Sequence, residues 1–214
     1  MPEDSAKKWR RRSDARPGEL TAAAFALFAE QGFAATRLED VAARAGVSKA
    51  TIYRYFDNKD ALFEAVIKEA ISPRFAEAEM LVEAFQGTTF DLLRTFFQVV
   101  RGVLAGPLPA VLKMVVSEAG TFPQLARLWV DLGVSRVTGL VRRIVERGIA
   151  RGEFRDVDVD AVVPLIGAPM FLLGIWKQTF SQTSLQFDPE RVLDQHVDML
   201  LRGLAKQSEE VEVQ

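Results

Sequence analysis

The sequence predicts an all-α protein, and three observations carry that prediction. Apolar residues recur at three- and four-residue steps nearly throughout the 214 residues, and no run alternates with period two between turn signals. Gly, Pro and Asp punctuate this pattern into short segments before about residue 70 and longer, more apolar ones after it. Residues 36–56 place two short capped segments on either side of a tight Ala45-Gly46-Val47-Ser48 turn.

The first helix is expected to start near Pro17, a residue favoured in a first turn. Leu20, Ala24, Phe25, Leu27 and Phe28 give it an apolar face, and Gly32 is expected as its left-handed C-cap. A second helix opens at Thr36, where Thr36-Arg37-Leu38-Glu39 has the pattern of a capping box. Its inner face is Leu38, Val41, Ala42 and Ala45. A third helix starts at Ser48, a good N-cap, and runs to about Tyr55. Asp57-Asn58 caps a fourth, expected to end near Ile71, before Pro73. Further helices are expected over 74–86, 90–104, 110–119, 123–151, 158–182 and 189–206, each closed by Gly or Pro signals. The domains implied are a basic flexible arm over 1–16, a head over 17–62, a helical body over 63–207 and a frayed tail over 208–214.

Composition narrows the function. Apolar residues at 49% and charged residues at 26% are ordinary globular usage, which argues against disorder for most of the chain. With no cysteine, neither a disulfide framework nor a thiolate metal site is possible. His196 is the lone histidine and sits among apolar neighbours, as a packed or surface residue would. No Gly-rich phosphate loop, paired-carboxylate motif or metal-ligand spacing is present. The expectation is therefore no catalytic residue, no metal, no cofactor and no enzyme. The most apolar stretch, 161–176, carries Pro164 and Pro169 and falls short of the roughly 20 residues of a membrane span. No secretory signal opens the sequence, so a cytoplasmic protein without membrane contact is expected. Lys7, Lys8, Arg10, Arg11, Arg12 and Arg16 crowd the first 16 residues, which suits a polyanionic partner.

The turn at 45–48 explains the motif around it. Ala42 is small where two helices cross, Gly46 supplies positive φ, Val47 and Ile52 can bury beneath the turn, and Ser48 caps the next helix. These features specify a helix-turn-helix. On the third helix, Lys49 with Tyr53 and Ala50 with Arg54 are i,i+4 pairs, so each pair shares a face. Lys and Arg can donate to guanine O6 and N7, Thr and Ala methyls can touch thymine methyls, and a Tyr hydroxyl can bond phosphate. None of these side chains is acidic.

The ordered string Thr36-Arg37-Leu38-Glu39-Asp40-Val41-Ala42, Ala45-Gly46-Val47-Ser48, Thr51-Ile52-Tyr53-Arg54-Tyr55-Phe56 and Asn58-Lys59-Asp60-Ala61-Leu62, with Phe33 behind Gly32, resembles the N-terminal signature of the TetR (tetracycline-repressor) family over residues 17–66. The resemblance implies an all-α homodimer. An N-terminal three-helix helix-turn-helix domain binds DNA, and a larger helical domain binds ligand and dimerises. Position by position it sends Lys49, Ala50, Thr51, Tyr53, Arg54 and Tyr55 to the major groove, Thr36, Arg37 and Ser48 to phosphates near helix starts, and Lys59 to the DNA backbone. Ala50 and Ile52 stand where the family commonly has Gly and Leu, and Arg54 sits at a position that varies and can set sequence preference.

Beyond residue 70 the resemblance fades. It suggests that 158–182 and 189–206 pair with their copies. Phe96, Phe97, Val100, Met114, Trp129, Met170 and Trp176 are candidate linings of a pocket for a small apolar or aromatic effector. The function expected is a repressor released from a palindromic operator by that ligand. An activator, or a DNA-coating protein without an effector, would use the same reading heads. The long apolar body argues against mere coating.

Overall fold

A computed structural model describes residues 3–185 and 187–206, the side chains of 3–16 and 72–74 excepted. The tail 208–214 and the side chains of the basic arm thus lie outside the described residues. Among the described residues ten α-helices run in chain order: α1 Glu3–Ala35, α2 Leu38–Arg44, α3 Lys49–Tyr55, α4 Lys59–Ala84, α5 Thr89–Ala105, α6 Leu108–Glu118, α7 Pro123–Trp129, α8 Ser135–Ala150, α9 Val159–Thr179 and α10 Pro189–Leu204. A π-helical turn, Val130–Val134, joins α7 to α8. No β-strand occurs among the described residues; one isolated antiparallel bridge pairs Phe154 with Ala205.

Several boundaries differ from the expectation for physical reasons. Helix α1 reaches back beyond Pro17, which lies inside it. It breaks at Gly32, whose φ of 84° and ψ of 166° are positive-φ but extended rather than left-handed helical. Helix α4 continues through position 73 to Ala84, because Phe75, Ala78 and Val82 extend its buried face past the proline. The single helix expected over 123–151 is divided by the π turn, where Gly133 is buried and Trp129 and Ile71 lie close against it. Helix α9 has 21 residues and is long and apolar enough, by length and composition alone, to cross a membrane; this corrects the shorter estimate from 161–176. Its extra length comes from the Asp158 cap at one end and a last turn through Thr179 at the other.

The chain forms two compact units, one of Met1–Ile71 with Ala110–Gly133, the other of Ser72–Pro109 with Val134–Gln214. Residues 110–133 therefore keep company with the N-terminal helices, whereas a cut after residue 62 assigns them to the body. In the first unit the reason is an aromatic cluster. Phe28, Phe33 and Phe63 meet at 5.4–5.7 Å, and Phe122 stands edge-on to Phe33 at 5.2 Å. Leu20, Ile52, Leu62 and Ile67 complete this core at 0% exposure.

In the second unit α5, α8, α9 and α10 pack together around Leu92, Leu93, Phe97, Leu140, Ile144 and Ile166. Arg101 of α5 pairs with both Glu190 and Asp194 of α10. Arg147 of α8 donates to the carbonyls of Phe85 and Gly87 at 2.8 Å each, closing the end of α4. His196 is half-buried, its Nε2 3.1 Å from the Ile166 carbonyl and its ring edge-on to Phe97. It packs, as expected of a lone histidine among apolar neighbours.

Candidate nucleic-acid interface

The turn between α2 and α3 is closed by backbone geometry that its residues make possible. The Gly46 N–H donates to Ala43 O at 3.1 Å and the Val47 N–H to Ala42 O at 2.9 Å, the paired bonds of a Schellman C-cap. That motif needs positive φ at Gly46, observed at 67°. Ala42 and Ile52 are buried where α2 and α3 meet, and Val47 is half-buried. Ser48 then caps α3, its Oγ accepting from the Thr51 N–H at 3.2 Å. A cap of this kind stabilises a short helix by about 1 kcal/mol. With seven residues, α3 depends on such help.

The cap of α2 differs from the expectation. Arg37, not Thr36, is the N-cap, and the Asp40 carboxylate accepts the Arg37 N–H at 3.3 Å. Thr36 is 1% exposed. Its hydroxyl donates to Gly32 O at 2.8 Å and accepts from Gln31 Nε2 at 3.2 Å. The reason lies in the Gly32 break, which frees a carbonyl that the Thr36 hydroxyl satisfies. Its hydroxyl is thereby engaged inside the head rather than offered to phosphate.

Lys59 is corrected in the same way. Its Nζ donates to Phe33 O at 2.6 Å and Ala34 O at 3.1 Å, and it lies 4.4 Å from the Phe33 ring centroid. Burial pulls its pKa below the ordinary lysine value. The ammonium caps the end of α1, because the last turn of a helix presents free carbonyls and negative partial charge. In this structure it ties the start of α4 to the end of α1. On the other side of Phe33, Glu118 of α6 accepts the Phe33 N–H at 3.0 Å. A Cβ at position 32 would stand 2.7 Å from the tip of the flexible Glu118 side chain, which can shift, so it is the φ of 84° that calls for glycine there.

The outward face of α3 carries the residues named from the sequence. Lys49, Ala50, Tyr53 and Arg54 are exposed, while Thr51 and Tyr55 are half-buried. Thr51 Oγ1 lies 2.9 Å from Ser48 Oγ. Arg54 stacks 5.0 Å over the Tyr55 ring and donates to its hydroxyl at 3.1 Å. Arg37 and Ser48 are exposed at the starts of α2 and α3.

Sequence reasoning missed the acid in this face. Glu39 of α2 pairs with Lys49 at 2.7 Å and accepts the Tyr53 hydroxyl at 3.1 Å. The Lys49 ammonium holds the Glu39 carboxyl down to a pKa of about 2. Glu39 thus holds Lys49 and Tyr53 together on the outward face of α3. The pair joins two helices across the turn, and helical spacing carries no signal of it.

The seven candidate pocket residues are divided between the two units. Phe96, Phe97 and Val100 are buried core of α5 in the second unit, whereas Met114 and Trp129 belong to the first. Met170 and Trp176 are half-buried on α9, and Trp176 lines a cleft. That cleft lies in the second unit.

Two capped helices at a tight turn, presenting Lys, Arg, Thr and Tyr outward, define a helix-turn-helix DNA-binding protein. Comparison with known proteins makes this specific. Residues 20–66 match the family described as bacterial regulatory proteins, tetR family. Residues 86–179 match the tetracyclin repressor-like C-terminal domain. The chain belongs to the TetR family and is a DNA-binding transcriptional regulator.

A transcriptional repressor of Rhodococcus jostii, KstR2, is 23% identical over 89% of this chain and 91% of its own. Among solved structures, the fold is similar to the transcriptional regulator FadR of Bacillus subtilis in complex with stearoyl-CoA, at TM-score 0.72 and 19% identity over 87% of this chain and 98% of that one. It is also similar to the ketosteroid transcriptional regulator KstR2 of Mycobacterium tuberculosis, at TM-score 0.65 and 23% identity over 90% and 96%.

Proposed function

We propose that this protein is a cytoplasmic, homodimeric repressor that leaves a palindromic operator when a small apolar or aromatic ligand binds its C-terminal half. The observation that carries the reading is the exposed face of α3, with Lys49, Ala50, Tyr53 and Arg54 held outward by the Ser48 cap and the Gly46 turn. Phosphate contacts from Lys49, Tyr53, Ser48 and Arg37 orient the head, and Arg54 reads a base edge. The basic arm over 1–16 adds sequence-independent attraction.

Dimerisation is supported by apolar side chains left uncovered on α9 and α10. Leu165 is 62% exposed, Met199 64%, and Phe171 and Leu172 about half. A second copy laid on this surface buries them, and a dimer with two-fold symmetry carries two reading heads that match a palindrome. The same pairing accounts for the apolar length of α9 without a bilayer. Repression agrees with the printed role of the KstR2 relatives. Release is a population shift, in which ligand favours a conformation whose heads are misplaced for successive major grooves. Helix α4, whose residues are divided between the two compact units, carries that shift. A coupling of about 1–3 kcal/mol changes DNA affinity roughly 5–150-fold.

The test is selection of binding fragments from genomic DNA of the source organism by the purified protein at physiological salt. Recovery of a short inverted repeat beside a promoter supports the reading. Binding without preferred sequence that vanishes as salt rises would identify a DNA-coating protein instead.

A further inference from the structure

Glu39 lies in the first turn of α2, and its carboxylate reaches across the turn to α3. One oxygen, Oε1, takes both of its bonds there. The Lys49 Nζ stands 2.7 Å from it, and the Tyr53 hydroxyl donates to it at 3.1 Å. Lys49 and Tyr53 are about one helical turn apart, and the ammonium lies 5.7 Å from the Tyr53 ring centroid. The three groups form a closed cluster on the outward face of α3. The ammonium holds the Glu39 carboxyl at a pKa of about 2, so the cluster is charged at any pH near neutral.

Helix α2 does not depend on this acid. Asp40, the next residue, already accepts the Arg37 N–H at the helix start and places a negative charge in the first turn. What Glu39 adds is its hold on α3, and that hold conflicts with phosphate binding. A tyrosine hydroxyl has one proton to donate, and a phosphodiester oxygen has none of its own. With its proton given to Glu39, Tyr53 has nothing to give a phosphate. Lys49 has three N–H donors, but the carboxylate balances its charge. Bonds to an ionised acceptor are roughly twice as strong as neutral ones, so both donors stay on Glu39 until another anion competes for them. Once they have turned to phosphate, the carboxylate stands near DNA without its partners, and like charges repel.

We propose that Glu39 is a built-in competitor of DNA phosphate: it holds Lys49 and Tyr53 in the free protein, loses both on binding, and so lowers the affinity of the head for DNA. This competition rests on the reading that the α3 face meets phosphate. Glu39 acts through Lys49 and Tyr53, and the sign of its effect is diagnostic. Removing a residue that only braces the α2–α3 turn weakens DNA binding. Removing a competitor strengthens it.

Glu39→Gln keeps the shape and a neutral acceptor but removes the charge. Dissociation constants of the full-length variants are measured by fluorescence anisotropy on a selected operator fragment. A random-sequence duplex of equal length serves if selection returns no operator, because phosphate contacts do not depend on sequence. Salt is held at about 50 mM, which keeps weakened variants bound. Exposed ion pairs contribute little, so Glu39→Gln is expected to bind roughly two- to fivefold more tightly than wild type. Glu39→Ala, which leaves no acceptor, is expected to bind at least as tightly as Glu39→Gln, and both are expected to keep their helicity by circular dichroism. Lys49→Ala and Tyr53→Phe are each expected to weaken binding. In either background the gain from Glu39→Gln is expected to shrink, because one of the two captured donors is gone.

Affinity that is unchanged or lower in both Glu39 variants overturns the proposal and makes Glu39 a brace of the turn. A gain that persists at full size in either background is general charge repulsion and overturns it as well. If Lys49→Ala and Tyr53→Phe both bind DNA as wild type does, phosphate contact by the α3 face falls and the competition falls with it. If those two weaken binding and the Glu39 variants bring no gain, the α3 reading stands and the competition alone fails.

Discussion

Helices α3 and α9 make opposite use of exposure. Helix α3 is seven residues long, capped at Ser48, and turns Lys49, Tyr53 and Arg54 to solvent. Helix α9 is 21 residues long and turns Leu165, Phe171 and Leu172 to solvent. The exposed polar groups of α3 are of the kinds that bond phosphates and base edges. The exposed residues of α9 have no use in water, so their meaning comes from what covers them. An exposed charge on a short capped helix is interpretable from chemistry alone. An exposed leucine is interpretable only through a partner.

The predictions that break or sharpen this contrast run from large to small. Phe33→Ala removes the ring at the centre of the Phe28, Phe63 and Phe122 cluster and leaves a cavity. The expected loss is about 3–5 kcal/mol in urea unfolding, with DNA binding lost as the head unfolds. Leu165→Asp places a charge in the uncovered face of α9. It is expected to convert the dimer to monomer in analytical ultracentrifugation while helicity by circular dichroism is retained; an unchanged dimer would remove α9 from the interface. Arg54→Ala is expected to relax base preference at one operator position by about 1–3 kcal/mol, and equal loss on all sequences would place Arg54 on phosphate. Ser48→Ala is expected to cost about 1 kcal/mol of stability and to weaken DNA binding evenly across sequences.

The smallest effect is one of pH. The folded pKa of Glu39 lies at about 2, below the usual carboxylate value of 4.5. A depressed acid contributes stability that is present above its unfolded pKa and lost as pH falls through the folded one. The contribution of Glu39 is therefore full at and above about pH 5.5 and is lost progressively as pH falls from its ordinary value of 4.5 to about 2. Glu39→Gln is expected to leave the slope of stability against pH unchanged between pH 5.5 and 8, measured by thermal unfolding. A new slope in that window would mean that Glu39 titrates there.

Much of the α2–α3 turn was legible because local rules decide it. Ser48 caps α3, Gly46 adopts positive φ and Ile52 buries, each forced by residue type at a fixed place in a short motif. The misreadings around that motif share one cause. Thr36 and Lys59 have side chains suited to phosphate, yet both turn to carbonyls freed where α1 breaks and ends, at Gly32, Phe33 and Ala34. That competition depends on a neighbour many residues away. Glu39 and Glu118 were missed for the same reason, since their partners lie on other helices.

The sequence by itself determined the helical class, the Ser48 cap, the turn and the identity of the family, because these rest on backbone chemistry and on contacts within a few residues. Only the tertiary structure decided that α4 runs through position 73, that residues 110–133 join the N-terminal unit, and that Phe97 is buried core while Trp176 lines a cleft. Helical periodicity reports that a residue has an inner face, but not which neighbour covers it. Core, interface and cavity wall are all built from the same apolar residues at the same spacing. What separates them is whether packing from distant parts of the chain closes over the face or leaves it open.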